Sequence, residues 1–250
     1  MYTFTYPTSP TAPTLTCLTS YRCHSEPIEL GVSAPFVAVG DLMKGPYILQ
    51  LTPQNKFREI CRTYQTLWTT AIDLLEDGTI INADAEGNLS IWQRDDSPMV
   101  DRENLRLIGD MRIGEMVNRI RKVNPAARAR NKNSVVVPSA YLATAEGGVY
   151  LLGMIDEKFT QLLLQLQTNL AKVIRSVGGL QYNRWRAFSS PTRVQGEPYR
   201  CVDGDFIQRF LELPDEEAAK VVQGVDNDIF ALGMGVEEVR TVVEGLKTLH

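Results

Sequence analysis

Two histidines, His24 and His250, four cysteines and scattered carboxylates are the residues of this chain that could do acid–base, nucleophilic or metal chemistry. A hydrolytic triad needs an imidazole held between a nucleophile and an orienting acid. His250 is the last residue of the sequence and His24 lies in no recognisable motif, so a His-based active site is not expected. Cys17, Cys23 and His24 are close together, but no second ligand pair follows at zinc spacing, and Cys61 is the only other nearby thiol. With Cys201 included, the cysteines show no pairing pattern, which fits a reducing compartment, cytosol or nucleus. Asp203 and Asp205 could form a carboxylate pair. They stand directly before Phe206, Ile207, Phe210 and Leu211, where an Asp serves as a helix cap. No Gly-rich phosphate loop occurs, and no GxGxxG joins a strand to a helix. The residues predict a non-enzyme with no metal and no cofactor.

Binding chemistry has two candidates. Arg119, Arg121, Lys122, Arg128, Arg130 and Lys132 fall within Asn118 to Ser134, a stretch without a single acid, while the whole chain has a net charge of −4. Such a run can contact phosphates or act as a nuclear-import signal. It also reads as a solvated, disordered loop, and the sequence leaves both open. Tyr182, Trp185 and Phe188 interleave with Arg184 and Arg186. Stacking on bases is one use of that pattern. Anchoring a loop against helices is the other, and it predicts that Trp185 and Phe188 are largely buried.

These residues must be positioned by a chain of ordinary globular composition, 44% hydrophobic and 22% charged. No apolar run approaches the ~20 residues that span a bilayer. Residues 1–14 are Thr/Pro-rich, without the basic start and apolar core of a signal peptide, and predict a flexible tail. Residues 15–155 alternate like strands and contain a repeat. Phe36 to Leu49, Ile80 to Trp92 and Tyr141 to Leu152 each read as strand, polar turn with Gly, strand. The turn glycines Gly45, Gly87 and Gly147 stand 42 and 60 residues apart. A four-stranded propeller blade takes ~40–45 residues, so the second interval is one blade plus an insertion, supplied by Arg94 to Asn104 or Asn118 to Ser134. An irregular β-sandwich is the competing architecture. About three blades fit, where a closed propeller takes ~4–8, so the expectation is a partial propeller completed by further segments.

Residues 156–250 follow a helical period. Phe159, Leu162, Leu163, Leu166, Leu170, Val173, Ile174 and Val177 make one apolar stripe, ended by Gly178-Gly179. Pro214 with Asp215, Glu216 and Glu217 starts another helix, and the last begins near Val236 with Val239, Val243, Leu246 and Leu249 on its stripe. The expected organisation is therefore a tail (1–14), a partial, WD40-like β-propeller of about three blades (15–155) and an all-α C-terminal helical domain (156–250).

Several stretches carry a family resemblance. They are Val39-Gly-Asp-Leu-Met-Lys, Leu67-Trp-Thr-Thr-Ala-Ile-Asp-Leu-Leu, Leu170-Ala-Lys-Val-Ile-Arg-Ser-Val-Gly-Gly-Leu, Trp185-Arg-Ala-Phe, Val202-Asp-Gly-Asp-Phe-Ile-Gln-Arg-Phe-Leu-Glu-Leu and Val239 to His250. In order and spacing they resemble the C-terminal region of the family that holds the large subunit of the UV-damaged-DNA-binding complex, the A subunit of the cleavage and polyadenylation specificity factor and a large splicing-factor subunit. The resemblance runs from about Leu15 to His250. It implies a non-catalytic, three-propeller scaffold with a helical C-terminal domain, acting in the nucleus, and also in the cytoplasm, in DNA-damage recognition, DNA repair and targeted protein degradation. Its implied partners are substrate-receptor proteins of a cullin-RING ubiquitin ligase, the missing propeller segments and, indirectly, DNA or RNA, with no membrane. Positions matching Leu18, Leu42, Lys44 and Trp68 face the receptor pocket in relatives. Lys44 stands where relatives tend to carry Arg, which puts a bidentate contact in doubt. Trp68 reads equally as propeller core. The chain lacks the first two propellers and most of the third, and its basic run has no counterpart in the family pattern. A nucleic-acid-binding subunit of polyadenylation or splicing machinery is the alternative function.

Overall fold

A computed structural model describes residues 2–5, 14–75, 77–94, 104–123, 135–174, 177–224 and 230–247. Thirteen strands come first among these residues, then the helices. Within the predicted tail, Tyr2–Thr5 (β1) pairs antiparallel with Thr14–Cys17 (β2), as alternating Thr and aromatic residues favour. Pro27–Ser33 (β3), Phe36–Asp41 (β4), Tyr47–Leu51 (β5) and Phe57–Arg62 (β6) form a four-stranded sheet in sequence order. Thr69–Leu74 (β7), Ile80–Asp84 (β8), Asn88–Arg94 (β9) and Leu105–Arg112 (β10) form a second, also in sequence order. Val117–Lys122 (β11), Val136–Thr144 (β12) and Val149–Ile155 (β13) form a three-stranded antiparallel sheet. The helices are Glu157–Val173 (α1), Tyr182–Arg186 (α2), Gly204–Gln208 (α3), Asp215–Gln223 (α4) and Val236–Lys247 (α5).

The chain folds as two compact units, residues 1–85 with 91–107, and residues 86–90 with 108–250. In the first, β3 packs on β7 at backbone distance. A Cβ on Gly31 would stand 2.6 Å from the Leu74 nitrogen, and one on Gly40 would meet the Thr69 and Ile72 side chains. Glu29 Oε2 accepts from the Ile72 amide at 3.1 Å. On the opposite face of the same sheet, Val39, Tyr47 and Leu49 are buried under Tyr21, Cys23, Val37 and Phe57.

The second unit has a helical core of Leu163, Leu166, Leu170, Phe206, Ile207, Phe210, Val221, Val239 and Val243. Val135, just before β12, belongs to the same core. Asp203 caps α3, accepting from the Phe206 amide at 3.2 Å, and also holds Arg186 (2.8 Å) and the Tyr182 hydroxyl (2.7 Å). Asp156 caps α1 through the Lys158 amide.

Four expectations change. Gly87 and Gly147 have positive φ, 78° and 93°, as hairpin glycines do. Gly45 does not; it is glycine because Thr63 and Gln65 leave no room for a Cβ. Arg119, Arg121 and Lys122 do not lie in a loop but on β11, where Val117 and Ile120 are buried and pair with Thr144 and Leu142. Arg128, Arg130 and Lys132 fall outside the described residues. Helix α1 ends at Val173 and Ile174 is already extended, as adjacent β-branched residues favour. Phe188 is buried, but Trp185 is 39% exposed. Its ring lies over the Arg186 guanidinium at 3.8 Å, and Asp203 keeps that guanidinium at the surface of the core.

A candidate protein-docking face

Antiparallel order brings several connections to one end of the first unit. The segment before β3, the β4–β5 turn and the β6–β7 connection share that end, as does the chain leaving β8, whose Ala85 amide donates to the Trp68 carbonyl at 2.9 Å. Leu18, Leu42, Lys44 and Trp68 are all on these connections and all exposed, Trp68 by 59%. Trp68 is not a core residue: the neighbouring Leu67 is buried, and the tryptophan ring is left in solvent.

Asp41 holds the β4–β5 turn in shape. Its buried carboxylate accepts from the Ser25 amide (2.8 Å), the Met43 amide (3.2 Å), the Lys44 amide (3.0 Å) and the Ser25 hydroxyl. Burial pushes the Asp41 carboxyl up, but the bonds from Ser25, Lys44 and Met43 outweigh it and hold the group below 3.8. The Leu42 amide donates to the Glu26 carbonyl at 2.9 Å, and the Thr63 amide to the Pro46 carbonyl at 3.1 Å. The turn is thus tied to the segments on both sides of it, and Leu42, Met43 and Lys44 are presented at its tip.

Beside the turn, a shallow pocket is lined by Tyr21, His24, Glu59, Ile60, Cys61, Arg62 and Tyr64. Glu59 lies between the Tyr21 hydroxyl (2.9 Å), His24 Nε2 (2.7 Å) and the Arg62 guanidinium. Burial raises the Glu59 carboxyl, and these three groups bring it below 4.5. Burial first, and then donation to Glu59, pushes the Tyr21 hydroxyl up to about 12. The His24 ring meets Tyr47 edge-on at 5.0 Å. These groups stitch the segment before β3 onto β6, with their charge matched inside the cluster.

Of the four expected partner residues, Leu42, Lys44 and Trp68 share one end of one unit and Leu18 is exposed on the segment that leads into β3, whereas Arg119, Arg121 and Lys122 lie in the other unit. Sequence reasoning missed Met43 and Tyr64, both widely exposed at the same end. The signal was available for Met43, which follows Leu42 inside the quoted Gly-Asp-Leu-Met-Lys stretch. Exposed Trp, Tyr, Met and Leu on a braced backbone can bury apolar area against a protein at little ordering cost.

Comparison with known proteins agrees with the resemblance. The CPSF A subunit region matches residues 11–212. DNA damage-binding protein 1 of Schizosaccharomyces pombe is 30% identical over 236 residues, covering 92% of this chain and 21% of that protein. DNA damage-binding protein 1b of Arabidopsis thaliana is 30% identical over 218 residues, 86% of this chain and 19% of that protein. The chain thus spans about a fifth of the length of the curated relatives it matches. Its ordered antiparallel sheets and the match over most of its length agree: the chain belongs to the CPSF A subunit region family.

Proposed function

We propose that this chain is a non-catalytic protein-interaction scaffold, part of a β-propeller with its C-terminal helices, and that it serves as an adaptor for substrate receptors of a cullin-RING ubiquitin ligase in nuclear DNA-damage recognition and repair. The observation that carries the reading is the set of exposed Leu42, Met43, Tyr64 and Trp68 on connections at one end of the strands, with Asp41 holding the turn that carries Leu42 and Met43. The names of the relatives, DNA damage-binding protein 1, support the process. The propeller part is supported by consecutive antiparallel sheets of three and four strands, and by the close approach of β3 to β7, as neighbouring blades make.

The test is capture of a purified substrate receptor of a cullin-RING ubiquitin ligase by this chain, alone and joined to further propeller segments of a relative. Trp68→Ala and Leu42→Asp should each weaken capture by roughly 30-fold or more, the size of an interface hot spot. Neither side chain is buried, so both variants should keep the parent melting temperature. Failure of capture in both formats, or capture unchanged in both variants, removes the proposal.

A further inference from the structure

We propose that His24 is a proton-operated latch on Arg62: the neutral imidazole holds the guanidinium inside the cluster around Glu59, and the protonated imidazole releases it to a carboxylate of a docking partner. The partner half of this inference rests on the docking reading above; the latch itself does not. One nitrogen makes the latch. His24 Nε2 lies 2.7 Å from Glu59 Oε2 and 2.7 Å from Arg62 Nη2. A carboxylate only accepts hydrogen bonds and a guanidinium only donates them, so the two contacts cannot both be hydrogen bonds. A bare Nε2 accepts from Arg62 and turns its lone pair toward Glu59. A protonated Nε2 donates to Glu59 and sets its hydrogen against those of Arg62.

The surroundings decide which contact goes with which form. Glu59 has donors without His24: the Tyr21 hydroxyl on Oε2 at 2.9 Å, and Arg62 Nε on Oε1. The neutral ring therefore carries its single proton on Nδ1 and serves Arg62 through Nε2. A second proton puts an N–H on Nε2, and the imidazolium then joins Glu59 in a charge-assisted bond. Glu59 is ionised to receive it, because its bonds hold the carboxyl below 4.5. Arg62 cannot give up a proton in response. It loses its acceptor, meets a like charge, and is attracted less by a Glu59 now paired with the ring. Its way out leads toward Tyr64, which lines the same pocket, is 76% exposed, and lies 5.9 Å from the guanidinium carbon.

The groups around the ring come from four stretches of chain. The segment before β3 supplies Tyr21 and Cys23, and β5 supplies Tyr47, whose ring meets the imidazole edge-on at 5.0 Å. From β6 come Glu59, Cys61 and Arg62, and from beyond β6 Tyr64. Glu59 and Arg62 carry the opposing charges of this set. Burial pushes the Tyr21 and Tyr47 hydroxyls up, away from the neutral range. Imidazole is the side chain that changes charge between about pH 5 and 8, and a latch built on it works there. Protonation turns a charge-matched cluster into one with an excess positive charge, and Lys44 adds another at the same end of the strands. A carboxylate is the partner group that such an end favours, since arginine binds it through two parallel bonds.

The experiment follows the whole chain, with nitrogen-labelled histidine and arginine, by NMR from about pH 8 to about pH 5. His24 and His250 are the two imidazoles of the sequence, and His24→Gln and Arg62→Lys identify the signals of interest. At the upper end His24 should carry its proton on Nδ1 and leave Nε2 bare. As pH falls, Nε2 should gain a proton and the Arg62 side-chain signals should shift with the same midpoint. In His24→Gln, whose amide donates and accepts but does not titrate, Arg62 should show no such step. Capture of the purified receptor should be about two- to five-fold tighter at about pH 6 than at about pH 8, the size of one exposed ion pair. His24→Gln should lose that difference while keeping the parent melting temperature. The latch is overturned if the neutral ring carries its proton on Nε2, if Arg62 does not follow His24, or if Arg62 shifts alike in His24→Gln. The partner half is overturned if capture does not change with pH, or changes alike in parent and variant. A chain that captures nothing at either pH removes the docking reading and the partner half with it, and the NMR titration still decides the latch.

Discussion

Asp41 shows how one residue can shape a candidate interface without touching a partner. Four donors converge on its carboxylate, two from Ser25 in the segment before β3 and two from Met43 and Lys44 at the tip that also carries Leu42. Replacing it by Ala leaves the half-buried Ser25 and Lys44 amides without this acceptor, so Asp41→Ala should cost about 2 kcal/mol in urea unfolding. Asp41→Asn should cost less, because one acceptor oxygen survives. The pH dependence follows from the directions of the shifts. Asp41 and Glu59 both ionise below their ordinary values of 3.8 and 4.5 in the folded chain. A depressed carboxyl contributes stability that is complete above its ordinary value and is lost as pH falls through the folded-state value. Stability measured from pH 7 downward should therefore hold until the ordinary carboxylate range and then fall. The fall should be shallower in Asp41→Asn. A profile in which parent and variant fall together would show that Asp41 is not held as its bonds imply.

At the scale of elements, the close approach of β3 to β7 depends on Gly31, whose missing side chain leaves room for the Asp73–Leu74 backbone. Backbone cannot turn aside as a flexible side chain can, so Gly31→Ala should cost roughly 1–3 kcal/mol, the range for overpacking. Gly78, at positive φ with nothing near its Cβ, gives a contrast: Gly78→Ala there meets only backbone strain. Equal losses in thermal unfolding for the two variants would remove the close-packing account. The element pattern was largely legible in the sequence. Period-two and period-three/four spacing separated strands from helices near Asp156, and the Asp203 cap was readable from its place before an apolar run. What could not be read was tertiary. Gly45 looks like a turn glycine until Thr63 and Gln65 are seen against it. Arg119, Arg121 and Lys122 look like a polar loop because only Val117 and Ile120 in that stretch are apolar, and the pairing with β12 makes it a strand. Of the candidate site, the exposure of Leu42, Lys44 and Trp68 at a shared end needed the sheet order, since one-dimensional spacing does not say which turns meet.

At the scale of the whole molecule, the chain covers about a fifth of its relatives' length, and the first unit shows an apolar face. Leu30 is 55% and Val32 56% exposed, on the face of β3 turned away from β7, with Ile28 beside them at the bulge. Further along that face, Val39, Tyr47 and Leu49 are covered by Tyr21, Cys23 and Phe57, and the cover stops short of β3. β3 is also the end strand of its sheet. An end strand with an apolar ladder is a template for association, which natural proteins usually blunt with charge or cover with other chain. The isolated 250-residue chain should therefore associate with itself. Size-exclusion chromatography with light scattering should show mass rising with protein concentration. Leu30→Lys with Val32→Lys should shift the population toward monomer without lowering the melting temperature, since neither side chain is buried. Trp68→Ala, at the end of the strands rather than on the ladder, should leave the mass unchanged. A parent chain that stays monomeric at every concentration, with cooperative unfolding, would mean that β3 needs no cover.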